Sequence, residues 1–140
     1  MKITPIHSRE ARPEYNMPFV PAFKVEGAAL IFLAGCGPIP PYHKHPHVAE
    51  EEAEWMKGDI REQTRKTFKH IEEILGAAGA NLANVVKLTI FLRDVSEQNA
   101  VNEVSAELFG RANPPPRTVV QVAALNHEHM RLEIDVIAAV

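Results

Sequence analysis

Three histidines alternate along one short stretch of the chain, His43, His45 and His47 in PIPPYHKHPHVAE (residues 38–50). Neutral imidazoles ligate zinc, copper and nickel, so such a cluster could hold a metal. The stretch also carries four prolines, with no carboxylate at a fixed, motif-like spacing. It is therefore read as a solvated loop with no metal. His127 and His129 flank a second polar turn and are read as surface residues. Cys36 lies between Gly35 and Gly37 at the end of an apolar run. A lone buried thiol is more often a small hydrophobe than a nucleophile, and no histidine beside it in sequence would activate it. Glycines on both sides would nevertheless let backbone approach a ligand closely, so a pocket role stays open. Arg117 directly follows Pro114-Pro115-Pro116 and opens an apolar strand. A guanidinium held there can clamp a carboxylate through two hydrogen bonds; the alternative is an ordinary strand-end arginine facing water. Glu133 shares one strand face with Arg131 and Asp135. It belongs either to a plain polar face or, if partly buried, to acid–base chemistry through a raised pKa. No HExxH, CxxC, GxGxxG or P-loop pattern occurs.

The elements that must position these groups follow from periodicity and breakers. Residues 1–18 carry Pro5, Pro13 and Pro18 and are expected to form an extended arm on the surface. Residues 19–25, interrupted by Pro21, read as an edge strand. Residues 28–34 (AALIFLA) read as a short buried strand, joined to the first by a hairpin at Glu26-Gly27. A Pro- and His-rich loop occupies about 38–58, and a helix could start within 51–58 or after Gly58. From Asp59 the helical period is clear: Ile60, Thr64, Phe68, Ile71 and Leu75 line one face, and Gly79 follows as a stop. Residues 85–92 alternate as a strand. Ser96 is expected to cap a second helix whose apolar face includes Val101, Val104 and Leu108. The three prolines at 114–116 end it. Two strands, 117–124 and 130–139, close the chain as a hairpin. The order β-β-α-β-α-β-β predicts an α+β fold, one sheet with two helices on one face.

The chain has 140 residues, enough for one domain, and 24% charged against 46% hydrophobic residues, a globular balance. With 15 Lys+Arg against 18 Asp+Glu, no basic field for nucleic acid is expected. Few aromatics are available to stack bases. A single cysteine excludes an internal disulfide. No apolar run reaches the roughly 18–20 residues that span a bilayer, and the N-terminus lacks the apolar core of a secretory signal. A reducing cytoplasm is the expected setting.

Four segments, GAAGANLANVVKLTIFLRD (Gly76–Asp94), VNEV (Val101–Val104), PPRTVVQVAAL (Pro115–Leu125) and LEIDVIA (Leu132–Ala138), closely resemble the RidA/YjgF family of reactive-intermediate deaminases. Members of this family are also described as endoribonuclease L-PSP or translation inhibitors. The similarity covers roughly residues 18–140, and P-x-R-[ST] followed by E-I-[DE]-x-I-A is its specific combination. The resemblance implies a chorismate-mutase-like unit at 19–140, assembled as a homotrimer with three pockets at subunit interfaces. It implies hydrolysis of small 2-imino and 2-enamino acids of the 2-aminoacrylate type to 2-oxo acids and ammonia, without metal or organic cofactor. Arg117 matches the arginine that binds the substrate carboxylate. Glu133 matches the glutamate that positions or activates water. Gly35 matches a glycine at the pocket-lining strand end, and Asn102 a recurrent helix residue of structural role. Three positions depart from the usual pattern: Phe19 replaces a tyrosine, Val119 a cysteine whose backbone N–H could still serve, and Cys36 a glutamine. The loop at 38–58 is longer than usual. These departures leave open a 2-aminomuconate-type deaminase or a non-catalytic binder of small carboxylates.

Overall fold

Strand β4 (Val85–Leu92) is the inner strand about which the main sheet is built. Leu88, Ile90 and Leu92 are buried in alternation, and an irregularity between Val85 and Lys87 brings Val85 to the buried side as well. The computed structural model describes residues 1–140. β4 pairs antiparallel with β6 (Leu132–Ala139) and parallel with β5 (Arg117–Gln121). The short β3 (Leu30–Phe32) pairs with the far side of β6, giving the order β3-β6-β4-β5. A separate two-stranded sheet joins β1 (Lys2–Ile6) to β2 (Ala22–Glu26).

Three helices accompany the sheets. The short α1 (Ala49–Trp55) follows the proline-rich loop. The long α2 (Ile60–Ala77) starts at Asp59, whose carboxylate accepts from the Glu62 backbone N–H at 3.0 Å. Gly79, at φ +70°, turns the chain away after its last turn, a conformation that favours glycine. α3 (Gln98–Phe109) connects β4 to β5. Phe68, Ile71 and Leu75 of α2, with Val101 of α3, pack on Leu88, Ile90, Ile134 and Val136 to make one core. The other sheet face carries no helix of this chain, and Leu30, Phe32 and Val120 are exposed there. No helix is long and apolar enough to cross a membrane.

The α+β class holds, while several connections differ from the expectation. Lys2–Ile6, within the expected arm, is a strand that pairs with β2. Since β2 takes β1 as its partner, Glu26-Gly27 does not join a hairpin to β3. β3 is not buried on both faces: Ile31 packs on the core, but Leu30 and Phe32 are 53% and 71% exposed. Asp94, and not Ser96, caps the turn before α3, accepting from the Ser96 N–H at 2.9 Å. The last two strands are not a hairpin either, because β4 lies between them. β5 therefore forms an open edge.

Candidate active site

Arg117 begins β5 opposite Leu88, which is opposite Val136. Directly opposed residues share a face, so Arg117 lies on the helix-bearing side of the sheet. There its Nη2 donates to Asn102 Oδ1 on α3. Its Cζ stands 6.0 Å from the centroid of the Phe19 ring, within reach of a cation–π contact. Nε and Nη1 of Arg117 are buried and have no acceptor. Burial also pushes the guanidinium pKa down. A guanidinium cannot realistically shed its proton here, so the two orphaned donors call for an anion. Ser105 Oγ, which lines the same recess of about 350 Å³, is also buried without a partner.

Val119 turns its side chain into the core. The Leu88 N–H donates to Pro116 O at 3.0 Å and the Val122 N–H to Leu92 O at 2.8 Å. With the ladder in that phase, the N–H groups of Arg117, Val119 and Gln121 point away from β4, toward the open edge. One backbone donor thus stands two residues from the guanidinium.

Glu133 lies elsewhere. It sits opposite Phe91 on the helix-free face, three residues along β6 from Val136. Within one chain it is separated from Arg117 by about 10 Å across the sheet and about 10 Å along it, on the other side. Glu133 lines a second cavity of about 390 Å³, with Gly35, Cys36, His43, His47 and His70 among its walls. Burial, and next the neighbouring Asp135, raise its pKa above the ordinary carboxylate range. A Cβ at Gly35 would collide with Glu133 Oε1, so glycine there makes room for the carboxylate. Cys36 is buried and its thiol is pushed up to about 11, by burial first and then by Glu133 and Asp135. Its Sγ donates to the Ala34 carbonyl at 3.3 Å. The thiol is a wall of the cavity and not a nucleophile.

Among the site residues read from sequence, Arg117, Phe19 and the Val119 backbone gather at one place, and Glu133, Gly35 and Cys36 at another. Asn102 acquires a role beyond helix structure, because it holds one arm of the guanidinium. Two polar residues of α2, His70 in the wall of the second cavity and the buried Gln63, are not singled out by the sequence. His70, on α2, donates from Nδ1 to the Gly37 carbonyl at 2.9 Å. Gln63 is 1% exposed. Its Nε2 donates to Met56 O and His129 O, both at 3.0 Å, and its Oε1 accepts from the Arg131 N–H at 2.9 Å. Both are polar residues within a helical period, and nothing in their spacing marks them out.

Known proteins bear on this geometry. The family described as Endoribonuclease L-PSP matches residues 9–140. A RutC family protein of Pyrococcus abyssi is 38% identical over 129 residues, covering 92% of this chain and 91% of its own. The 2-iminobutanoate/2-iminopropanoate deaminase of Homo sapiens is 40% identical over 83 residues, 59% of each chain. A crystal structure of a YjgF/YER057c/UK114 family member from Mycobacterium tuberculosis, 29% identical, superposes with a TM-score of 0.64, covering 99% of this chain and 100% of the other. The orphaned arginine at the mouth of β5 and the glutamate of β6 thus stand on a chorismate-mutase-like α+β scaffold, and the chain belongs to the Endoribonuclease L-PSP family, the RidA/YjgF group.

Proposed function

We propose that the protein hydrolyses small 2-imino and 2-enamino acids to 2-oxo acids and ammonia. The observation that carries this reading is the buried Arg117 with two N–H donors lacking an acceptor. A substrate carboxylate would supply the missing acceptors, with the Val119 N–H close by. Held there, the carboxylate fixes the adjacent C=N. Water adds to the imine carbon to give a carbinolamine, which expels ammonia as its C–N bond breaks and the C=O forms. Glu133, whose pKa is raised by burial and then by Asp135, can pass the proton to the departing nitrogen. Such imines hydrolyse readily in water, so orientation plus one acid–base group suffices, the latter contributing roughly 10²–10⁴-fold. Support from relatives comes from the human deaminase and from the Reactive Intermediate Deaminase A of Arabidopsis thaliana, 36% identical over 132 residues.

In this reading Arg117 of one copy meets Glu133 of another across a subunit seam, in a homotrimer. Two features favour that arrangement: the opposite-face placement of the two groups within one chain, and the exposed apolar Leu30, Phe32 and Val120 on the Glu133 face. The test is ammonia release from 2-aminoacrylate or 2-iminobutyrate generated enzymatically in situ. We expect Arg117→Ala to fall to the uncatalysed rate, and Arg117→Lys to recover little, since an ammonium lacks the planar fork. Equal rates in wild type and Arg117→Ala would reject the reading. Binding of a 2-oxo acid, abolished by Arg117→Ala but without turnover of any imine, would mean a carboxylate-binding module instead.

A further inference from the structure

We propose that His43, His45 and His47 form a binding site for a divalent transition-metal cation of the zinc class, held by three imidazoles and open toward the cavity that contains Glu133. The sequence reading took this stretch as a solvated loop without metal. The stretch is a loop, with Tyr42, Lys44 and His45 exposed, yet it brings the three rings together. Each of the three rings offers a nitrogen, and these nitrogens lie within 4.8 Å of one another. Zinc sits about 2.0–2.1 Å from imidazole nitrogen, which puts tetrahedral neighbours about 3.4 Å apart. The site therefore closes by about 1.4 Å at its widest pair to hold the ion.

Two of the rings are already oriented as ligands. His43 Nδ1 lies 2.8 Å from the Pro40 carbonyl, and His47 Nδ1 lies 2.6 Å from Glu52 Oε1 on α1. A carbonyl can only accept, so His43 carries its proton on Nδ1 and leaves Nε2 as a lone pair. The Glu52 carboxylate does the same for His47. A carboxylate or carbonyl on the far nitrogen is the usual support of a metal-ligating histidine, fixing both tautomer and ring orientation. Trp55 stands edge-on to both rings, with centroids 5.3 and 5.4 Å away, and limits their rotation. α1, which supplies Glu52 and Trp55, is itself pinned: Lys66 Nζ donates to the carbonyls of Glu54, Trp55 and Lys57 at 3.0, 3.3 and 3.1 Å. His45 is exposed and has no hydrogen-bond partner, so it is free to swing in as the third ligand.

Three neutral nitrogen ligands with one open position suit Zn²⁺, Co²⁺ or Ni²⁺, and disfavour Mg²⁺ and Ca²⁺, which take oxygen ligands. The open position faces the 390 Å³ cavity, where water or a small anion could complete the sphere. None of this depends on the deaminase reading.

The experiment is titration of chelator-stripped protein, carrying no histidine tag, with Co²⁺ and with Zn²⁺. Wild type is expected to bind one equivalent of either ion by calorimetry and to develop the intense visible absorption of four-coordinate cobalt. His45→Ala, which removes no hydrogen bond of the apo fold, should lose that absorption and weaken binding at least about tenfold. Glu52→Ala should weaken binding about 10–100-fold while leaving the three imidazoles in place. Arg117→Ala should bind cobalt as wild type does, which keeps this result apart from the outcome of the deaminase assay. The proposal fails if wild type gives no four-coordinate cobalt spectrum, or if His45→Ala and Glu52→Ala, with melting curves matching wild type, bind as tightly as wild type.

Discussion

Glu133 shows how one residue's surroundings set both chemistry and stability. Burial and Asp135 both oppose its charge, so its pKa is higher in the folded chain than in the unfolded one. As pH rises through the ordinary glutamate range, the unfolded form releases its proton first and stability falls. Below that range both forms are protonated and the contribution vanishes. Glu133→Gln removes the cost. Its Tm is expected to exceed that of wild type at about pH 7.5 and to converge with it below about pH 4, followed by circular dichroism. A variant melting below wild type at neutral pH would overturn this account. The same electrostatics keep Cys36 a thiol, and its glycine-flanked position, which left a pocket role open in the sequence, places it in the cavity wall. The prolines before Arg117 leave open whether it clamps a carboxylate or faces water; that two of its donors are buried without acceptors is not legible there, since burial depends on α3 and Phe19 arriving from distant parts of the chain.

Elements with a strong local signal were read correctly from pattern. α2 shows its period and its cap together, and β6 and the Leu88–Leu92 part of β4 alternate in burial. Asp59→Ala should cost about 1 kcal/mol in urea unfolding, with an unchanged slope, by orphaning the Glu62 N–H. A loss below about 0.3 kcal/mol would mean that another group or water satisfies that donor equally well. β1 was missed because Pro5 argues against a strand, although an edge position tolerates it. For β3, AALIFLA is apolar throughout, and a run of that kind predicts burial with no warning that one face is left uncovered. The sheet order was out of reach for another reason. β5 and β6 are neighbours in sequence, but α3 carries the chain over to a parallel pairing with β4, and no periodicity distinguishes that route from a hairpin. The convergence of the three histidine rings is not legible in the sequence, because their hydrogen-bond partners are a backbone carbonyl and a glutamate on a short helix with no cap signal.

At the scale of the molecule, the main sheet is half dressed: helices on one side, exposed Leu30, Phe32 and Val120 on the other. An apolar sheet face of that kind marks an association surface. Phe32→Asp is expected to shift the protein to a monomer in light scattering and to abolish imine hydrolysis while leaving the far-ultraviolet spectrum intact. A fully active monomer would refute the shared-seam arrangement. Gln63 carries a consequence of its own. One amide grips the chain just after α1, the turn at His129 and the start of β6. The segment that follows α1 and the segment that enters β6 are therefore riveted to a common pivot on α2. Cutting that single amide would leave the Met56 and His129 carbonyls and the Arg131 N–H without their shared partner at once.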